Sequence, residues 1–285
     1  MTKAQISNKD MELSEHFAFG ENWSQYASGI NQDHLDQATR CLTDLLGDKS
    51  LDGVRMLDIG CGSGIHSVAA ASLGAEVIAT DLDPKSVATT SMLCEKFGVQ
   101  DKVTPNIKSV FDLDPKVDGT FDLVYSWGVL HHTGAMWDAI TSASRCVTPG
   151  GRFALALYRK TRCCGMWTIE KKAYARMPRL LQLPIQVAYT AGADAIASAW
   201  RRTLPWKLHQ DYKNSRGMSR WHDVHDWLGG YPYESARPGE VESFLANQGF
   251  EKERGNRDHD QKVNWSFLGT GCAEYVFRKA QPEAP

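Results

Sequence analysis

The 285-residue chain has no uninterrupted apolar run long enough to cross a bilayer, and its opening MTKAQISNKDMELSEH lacks the apolar core of a secretory signal. A soluble, cytoplasmic protein without integral membrane association is the expectation. It also lacks a dominant charge: thirty-two Lys and Arg against thirty-four Asp and Glu leave −2. Nothing in that balance draws nucleic acid or an acidic surface to the chain as a whole. The seven cysteines, at 41, 61, 94, 146, 163, 164 and 272, contain no CxxC pair. A structural zinc site is thereby excluded, no bound metal is expected, and reduced, mostly buried thiols are the reading. Internal repeats and low-complexity tracts are absent. With 42% hydrophobic and 23% charged residues, the chain can bury one sizeable core with an elaboration.

What is present starts with MLDIGCGSGIHS, residues 56–67: an apolar strand ending in an acid, glycines at 60, 62 and 64, then the start of a helix. Glycine lets the backbone approach a ligand closely, and the helix N-terminus behind it offers unpaired N–H groups. A dinucleotide fingerprint starting at Gly60 would need glycine at 65, where Ile65 stands. A phosphate loop would need Lys and Ser or Thr after Gly64, where Ile65 and His66 stand. Asp58, two residues ahead of the loop, would repel a pyrophosphate and attract a cationic group.

These residues resemble the class I S-adenosylmethionine-dependent methyltransferases, whose acid-x-Gly-x-Gly-x-Gly loop corresponds here to Asp58, Gly60, Gly62 and Gly64, with Cys61 between. VIATDLD ends a second strand in Asp81, followed by Leu82. The resemblance implies that this acid accepts hydrogen bonds from both ribose hydroxyls of the cofactor, and a carboxylate has the paired acceptors a vicinal diol needs. It likewise places Asp112 at the adenine and matches FDLVYSWGVLHH, from Phe121, to the fourth strand and its loop. Ser126 and Trp127 would then face the cofactor, with Trp127 framing the sulfonium and reaching the acceptor. Asp83-Pro84 reads separately as an N-cap followed by N1 of a helix. Near the N-terminus, Trp23 and Tyr26, with Phe17 and Phe19, read either as a lid over S-adenosylmethionine or as packing under a leading helix.

Alternating apolar strands and amphipathic helices predict an α/β, Rossmann-like, doubly wound seven-stranded sheet with its last strand antiparallel. Strands are expected near 54–60, 75–80, 102–107, 121–126, 151–158, 250–255 and 265–278. Helices are expected after the glycine loop, over 84–97 and 136–147, and at PGEVESFLANQGF. The chain divides into an N-terminal helical lid region (1–50), a cofactor-binding core (51–158), a helical acceptor-binding insertion (159–235) and a C-terminal helix and strand hairpin (236–285). In a sheet of this kind the ligand crevice lies beyond the strand carboxyl ends, so Asp58, Asp81, Asp112 and residues 126–132 should converge.

The insertion holds thirteen Lys or Arg against six Asp or Glu, a balance of +7 that leaves −9 on the rest, and five of the nine tryptophans. Its rings and bases read as core with a solvated face, as a pocket for a small anionic or aromatic acceptor, or, most weakly, as a nucleic-acid or membrane surface. Within it, RGMSRWHDVHDWLGGYPYE resembles a tail in a subgroup of bacterial methyltransferases that share a start like FGENWSQYA. Here His222 and His225 lie among Trp221, Asp223, Asp226 and Trp227, with Tyr231 and Tyr233 beyond. An imidazole held by a carboxylate serves as a general base; the same cluster equally reads as an anchor of the lid. His131 and His132, after the fourth strand, are the other candidate bases, and one or two of the four at most should act. The acceptor would meet Trp127, Trp221, Asp226, Trp227, Tyr231 and Tyr233. The resemblance implies methyl transfer to a small molecule with an O, S or N nucleophile, with no nucleic-acid partner. An RNA- or protein-modifying enzyme and a non-catalytic cofactor-binding scaffold stand as alternatives.

Overall fold

The computed structural model describes residues 27–204, 206–207, 220–255 and 271–281, with only the backbone of Arg220, His222 and Asp223. The N-terminal aromatic residues singled out above, Trp23 and Tyr26 included, lie outside the described residues. Seven strands form one sheet in the order β3-β2-β1-β4-β5-β7-β6. They are β1 (Arg55–Ile59), β2 (Glu76–Asp81), β3 (Val103–Ile107), β4 (Phe121–Trp127), β5 (Val147–Tyr158), β6 (Phe250–Gly255) and β7 (Cys272–Lys279). β7 runs antiparallel to both β5 and β6, while the first five strands pair in parallel. This is the expected α/β sheet. Pro105 is accommodated because β3 is an edge strand, where a missing N–H costs no ladder bond on the open side.

Two apolar layers sandwich the sheet, because successive strand residues point to opposite faces. On β5, Phe153, Leu155 and Leu157 enter one core and Ala154 the other. The first core also takes Ala139, Ile140 and Ala143 of α4 (Met136–Arg145) and Val241 and Leu245 of α8 (Pro238–Ala246). The second takes α1 (Gln32–Leu46), α2 (Ile65–Ser72) and part of α3 (Pro84–Phe97). α2 is buried nearly all round through Val68, Ala69, Ala70 and Ala71, since its small side chains let α1 pack over it. Leu35, Ala38, Leu42 and Leu46 of α1 fill that layer, and the helix ends on Gly47 at φ 77°.

Among the described residues, three further helices precede α8: α5 (Cys164–Ala175), α6 (Arg179–Arg201) and α7 (Arg220–Gly229). The Trp-His-Asp cluster thus lies on a helix, with Val224 and Leu228 buried against Tyr174 of α5. β5 starts earlier than its expected 151–158, because Thr148–Gly151 bulges between the Phe121–Val147 and Leu123–Arg152 pairs. Gly150, at φ 78°, supplies the left-handed residue this bulge requires. Of the cysteines, Cys94 and Cys146 are buried and Cys41 is exposed, and all seven are free thiols.

The helix start at Pro84 forms as its residues dictate. Asp83, extended at φ −87° and ψ 118°, accepts the Lys85 N–H at 2.8 Å, and Pro84 occupies the first turn where no N–H partner exists. Asp83→Ala removes that acceptor. Urea denaturation should show a loss of about 1 kcal/mol, the usual worth of such a cap.

Candidate active site

The carboxyl ends of β1, β2, β3 and β4 share one sheet edge because these strands are parallel neighbours. There the loop after β1 turns sharply, with Gly60, Gly62 and Gly64 at φ 74°, 56° and 80°. Two of the three are also fixed by protein neighbours. A Cβ on Gly60 would meet the Val129 side chain at 2.4 Å, and one on Gly64 would meet Thr90 at 2.6 Å. The loop is tied to β2 through Gly60 and Cys61 N–H groups donating to Thr80 O at 2.7 and 3.0 Å. The Cys61 thiol sits 3.3 Å from Thr90 Oγ1, and burial raises it well above its ordinary range.

Asp81 closes the arrangement. Its Oδ2 accepts the Gly62 N–H at 3.0 Å and its Oδ1 the Asp83 N–H at 2.9 Å. Desolvation raises this carboxyl to about 6, the two N–H bonds working against it. The Leu82 N–H adds to that lowering. Asp58, at the end of β1, is 3% exposed and accepts Ser67 Oγ at 2.5 Å. Burial raises it to about 7, the Ser67 bond lowering and Asp81 raising it further. Among the described residues no Lys or Arg pairs with it.

The other expected cofactor residues divide. Asp112 is exposed, in a single turn of 3₁₀ helix (Val110–Asp112) after β3. Leu82 is half-buried beside Asp81. Ser126 is fully buried and donates to Ile59 O at 3.1 Å, joining β4 to β1. Trp127 is 40% exposed, and its indole N–H donates to Glu274 Oε1 at 2.9 Å. Beside it stands His66, edge-on to Trp127 at 6.1 Å, its Nδ1 3.0 Å from the Tyr125 hydroxyl. Burial lowers this imidazole to about 4, so it is neutral. In the sequence His66 registered only as the absence of a phosphate-loop lysine; Val129, Tyr125 and Glu274 gave no signal, since only the sheet brings them here.

Along the same edge, β4 and β5 end in a second cluster. His131 is fully buried, its ring 4.0 Å from Tyr158 and 4.4 Å from His132, and neither of its nitrogens makes a well-formed hydrogen bond. Burial, with His132 and Lys171 adding, holds its pKa well below the usual value. His132 Nδ1 lies 2.7 Å from Pro232 O. Around Tyr158 gather Trp227 at 5.6 Å and Tyr233 at 5.3 Å, with Trp167 at 5.6 Å from Trp227. Lys171, fully buried, donates to Trp227 O and holds its ammonium 3.6 Å from the Trp227 ring centre. Burial pulls this lysine down to about 7. Trp167 and Lys171 were not distinguishable in the sequence from ordinary residues of the insertion, nor Tyr158 from any strand end.

The remaining candidates stand apart from that cluster. His225 Nδ1 lies 3.0 Å from the Tyr174 hydroxyl, between α7 and α5. Trp221 is 38% exposed and offers its carbonyl to Gln186. Tyr231 faces Lys172 and Arg176, each 5.9 Å from its ring centre. Asp226 is half-buried, and the His222 side chain lies outside the described residues. No group of three or more His, Cys, Asp or Glu suited to a metal occurs among the described residues.

A seven-stranded sheet of this order, with a glycine loop after β1 and an acid ending β2, defines a Rossmann-like cofactor-binding domain. Residues 57–155 match the family described as Methyltransferase domain, and this core is a class I S-adenosylmethionine-dependent methyltransferase domain. The chain is 36% identical over 111 residues to the ubiquinone biosynthesis O-methyltransferase of Xanthomonas euvesicatoria, covering 39% of this chain and 46% of that protein. It therefore spans about half the length of the curated relatives it matches. Its fold is similar to that of magnesium protoporphyrin IX methyltransferase from Synechocystis PCC 6803, with a TM-score of 0.54, 17% identity, and coverage of 92% and 95% of the two chains. PKMT2 from Rickettsia typhi gives the same TM-score of 0.54 at 14% identity, over 87% of this chain and 53% of that one.

The raised Asp58 carboxyl has a consequence for stability. The fold retains its proton at pH values where the unfolded chain has released it, so stability falls as pH rises from about 4 through about 7. Asp58→Asn should flatten this dependence in ligand-free urea titrations between pH 5 and 8, removing a slope of up to about 1.4 kcal/mol per pH unit. Asp81, raised for the same reason, leaves a smaller slope of the same sign. An unchanged slope in the variant would show that Asp58 is already ionised.

Proposed function

We propose that the chain transfers a methyl group from S-adenosylmethionine to a small-molecule acceptor, releasing S-adenosylhomocysteine. The observation that carries this reading is Asp81, held by the Gly62 and Asp83 N–H groups at the carboxyl edge of the sheet. A carboxylate so fixed is ready for a ribose diol without reorganising. Asp58 adds a buried carboxyl that lacks a described cationic partner, and the ammonium of the donor's amino-acid end would favour its charged form. The Gly60–Gly64 loop and Leu82 would line the same site, Asp112 would meet the adenine, and Trp127 would border the sulfonium. Ser126 spends its hydroxyl on Ile59 O, and its role is to hold the edge together.

The bound donor supplies an activated methyl on a sulfonium. The protein's task is then to align the nucleophile and exclude water, which holds much of the rate in methyl transfer. Among the four candidate histidines, His131 is the one we assign as general base. Its neutral ring, whose nitrogens make no well-formed hydrogen bond, faces the Tyr158 cluster. His132 instead ties its loop to Pro232, and His225 engages Tyr174. Trp227 and Tyr233, with Tyr158 and Lys171 beside them, form the acceptor side. Likeness to an O-methyltransferase supports a hydroxyl oxygen as the nucleophile.

Two measurements test this. In isothermal titration the full chain should bind S-adenosylmethionine and S-adenosylhomocysteine, and Asp81→Ala should weaken both by about ten- to a hundredfold, the worth of charge-assisted hydrogen bonds. Absence of binding by the wild type overturns the reading. With labelled donor and fractionated small-molecule extract, His131→Ala should lower kcat at pH 7 by about 10²- to 10⁴-fold while leaving donor affinity in place. Labelling of RNA or protein fractions alone would reassign the acceptor class.

A further inference from the structure

Trp127 and Glu274 stand two strands apart in the sheet, and an alanine between them lets them meet. In register, Trp127 of β4 pairs with Ala156 of β5, and Ala156 pairs with Glu274 of β7. Residues paired across a sheet point to the same face, so the three side chains form one row. Two strand spacings put about 10 Å between the outer backbones. With only a methyl group at the middle position, the indole N–H reaches over β5 and donates to Glu274 Oε1 at 2.9 Å.

The same face of the sheet carries Asp58, in register with Tyr125 two residues before Trp127. Consecutive residues of α2 cover that row: Ser67 donates to Asp58, and His66 Nδ1 lies 3.0 Å from the Tyr125 hydroxyl. Beyond Trp127 the chain turns through Gly128, at φ 78°, and brings the Val129 side chain against Gly60. Trp127 is thereby held beside the glycine loop and stays 40% exposed. Among the described residues its ring has two partners, His66 edge-on at 6.1 Å and the Glu274 carboxylate. The imidazole is neutral, since burial lowers it to about 4. A carboxylate that accepts the indole N–H pushes electron density into the ring and adds negative charge at its edge, and both strengthen its attraction for a cation. The donor S-adenosylmethionine carries a positive sulfonium; S-adenosylhomocysteine has lost the methyl and, with it, that charge. A group that acts on the sulfonium charge therefore tells donor from product.

We propose that Glu274 is a positioning residue that acts through Trp127 to favour the sulfonium donor over its neutral thioether product. The inference rests on the methyl-transfer reading, which sets Trp127 beside the sulfonium. Isothermal titration of the full chain with both compounds, for the wild type, Glu274→Gln and Glu274→Ala, tests it. Glutamine keeps an oxygen that can accept the indole N–H and removes the charge. Glu274→Gln should weaken S-adenosylmethionine by about three- to tenfold, the range of a cation–π contact, and leave S-adenosylhomocysteine within about twofold. Glu274→Ala, which also frees the indole, should weaken the donor at least as much. A merely structural role would move the two compounds together. Wild type that binds both, with Glu274→Gln weakening them equally or not at all, overturns this inference and leaves the methyl-transfer reading in place. Wild type that binds neither overturns both.

Discussion

Asp81 is the contact on which the site edge depends. One carboxylate accepts backbone N–H groups from the loop after β1 and from the turn into α3, so a single side chain sets the distance between two crossover connections. The glycine loop cannot take its course without three left-handed residues, and it cannot move outward because Val129 and Thr90 press on it. The burial that raises Asp81 and Asp58 comes with this arrangement. Two carboxyls held near neutrality at one edge store an electrostatic demand for a cation and for donor groups, which is a physical description of a cofactor site awaiting its ligand.

A second set of contacts joins the insertion to that edge. His132 reaches Pro232 O, the Glu234 N–H donates to His131 O at 2.9 Å, and Met136 N–H donates to Glu234 Oε2 at 2.9 Å. Ala236 N–H donates to Tyr158 O at 3.0 Å and its own carbonyl accepts from Lys160. The chain returning from α7 is thereby stitched to the ends of β4 and β5. This explains why Trp227 and Tyr233 come to lie around Tyr158, whose ring meets His131, although long stretches of chain separate them from it. Lys171 is held by a carbonyl and aromatic faces, an environment that favours its neutral form more than water does.

Seen together, α6 and the sheet edge divide the labour of the molecule. The edge gathers polar and titratable groups in a dry setting. α6 gives Gln186 to α7 and leaves Leu180 and Trp200 exposed.

Much of this was legible in the sequence for local reasons. Strand spacing, the N-cap at Asp83, the proline at 84 and the glycine loop follow from short-range patterns, and the seven-stranded sheet formed with its antiparallel return. What tertiary structure decided lay in long-range pairings. The Ser126 hydroxyl is committed to Ile59, and two of the loop glycines answer to Val129 and Thr90, facts that no local pattern encodes. The insertion was legible as helical, but not which side of α6 faced inward, because Gln186 finds its acceptor only when α7 is in place. The local chain thus determined which elements form and where acids end the strands. The assembled fold decided which of those groups lose water and which side of α6 meets it, since desolvation belongs to the neighbours a residue acquires.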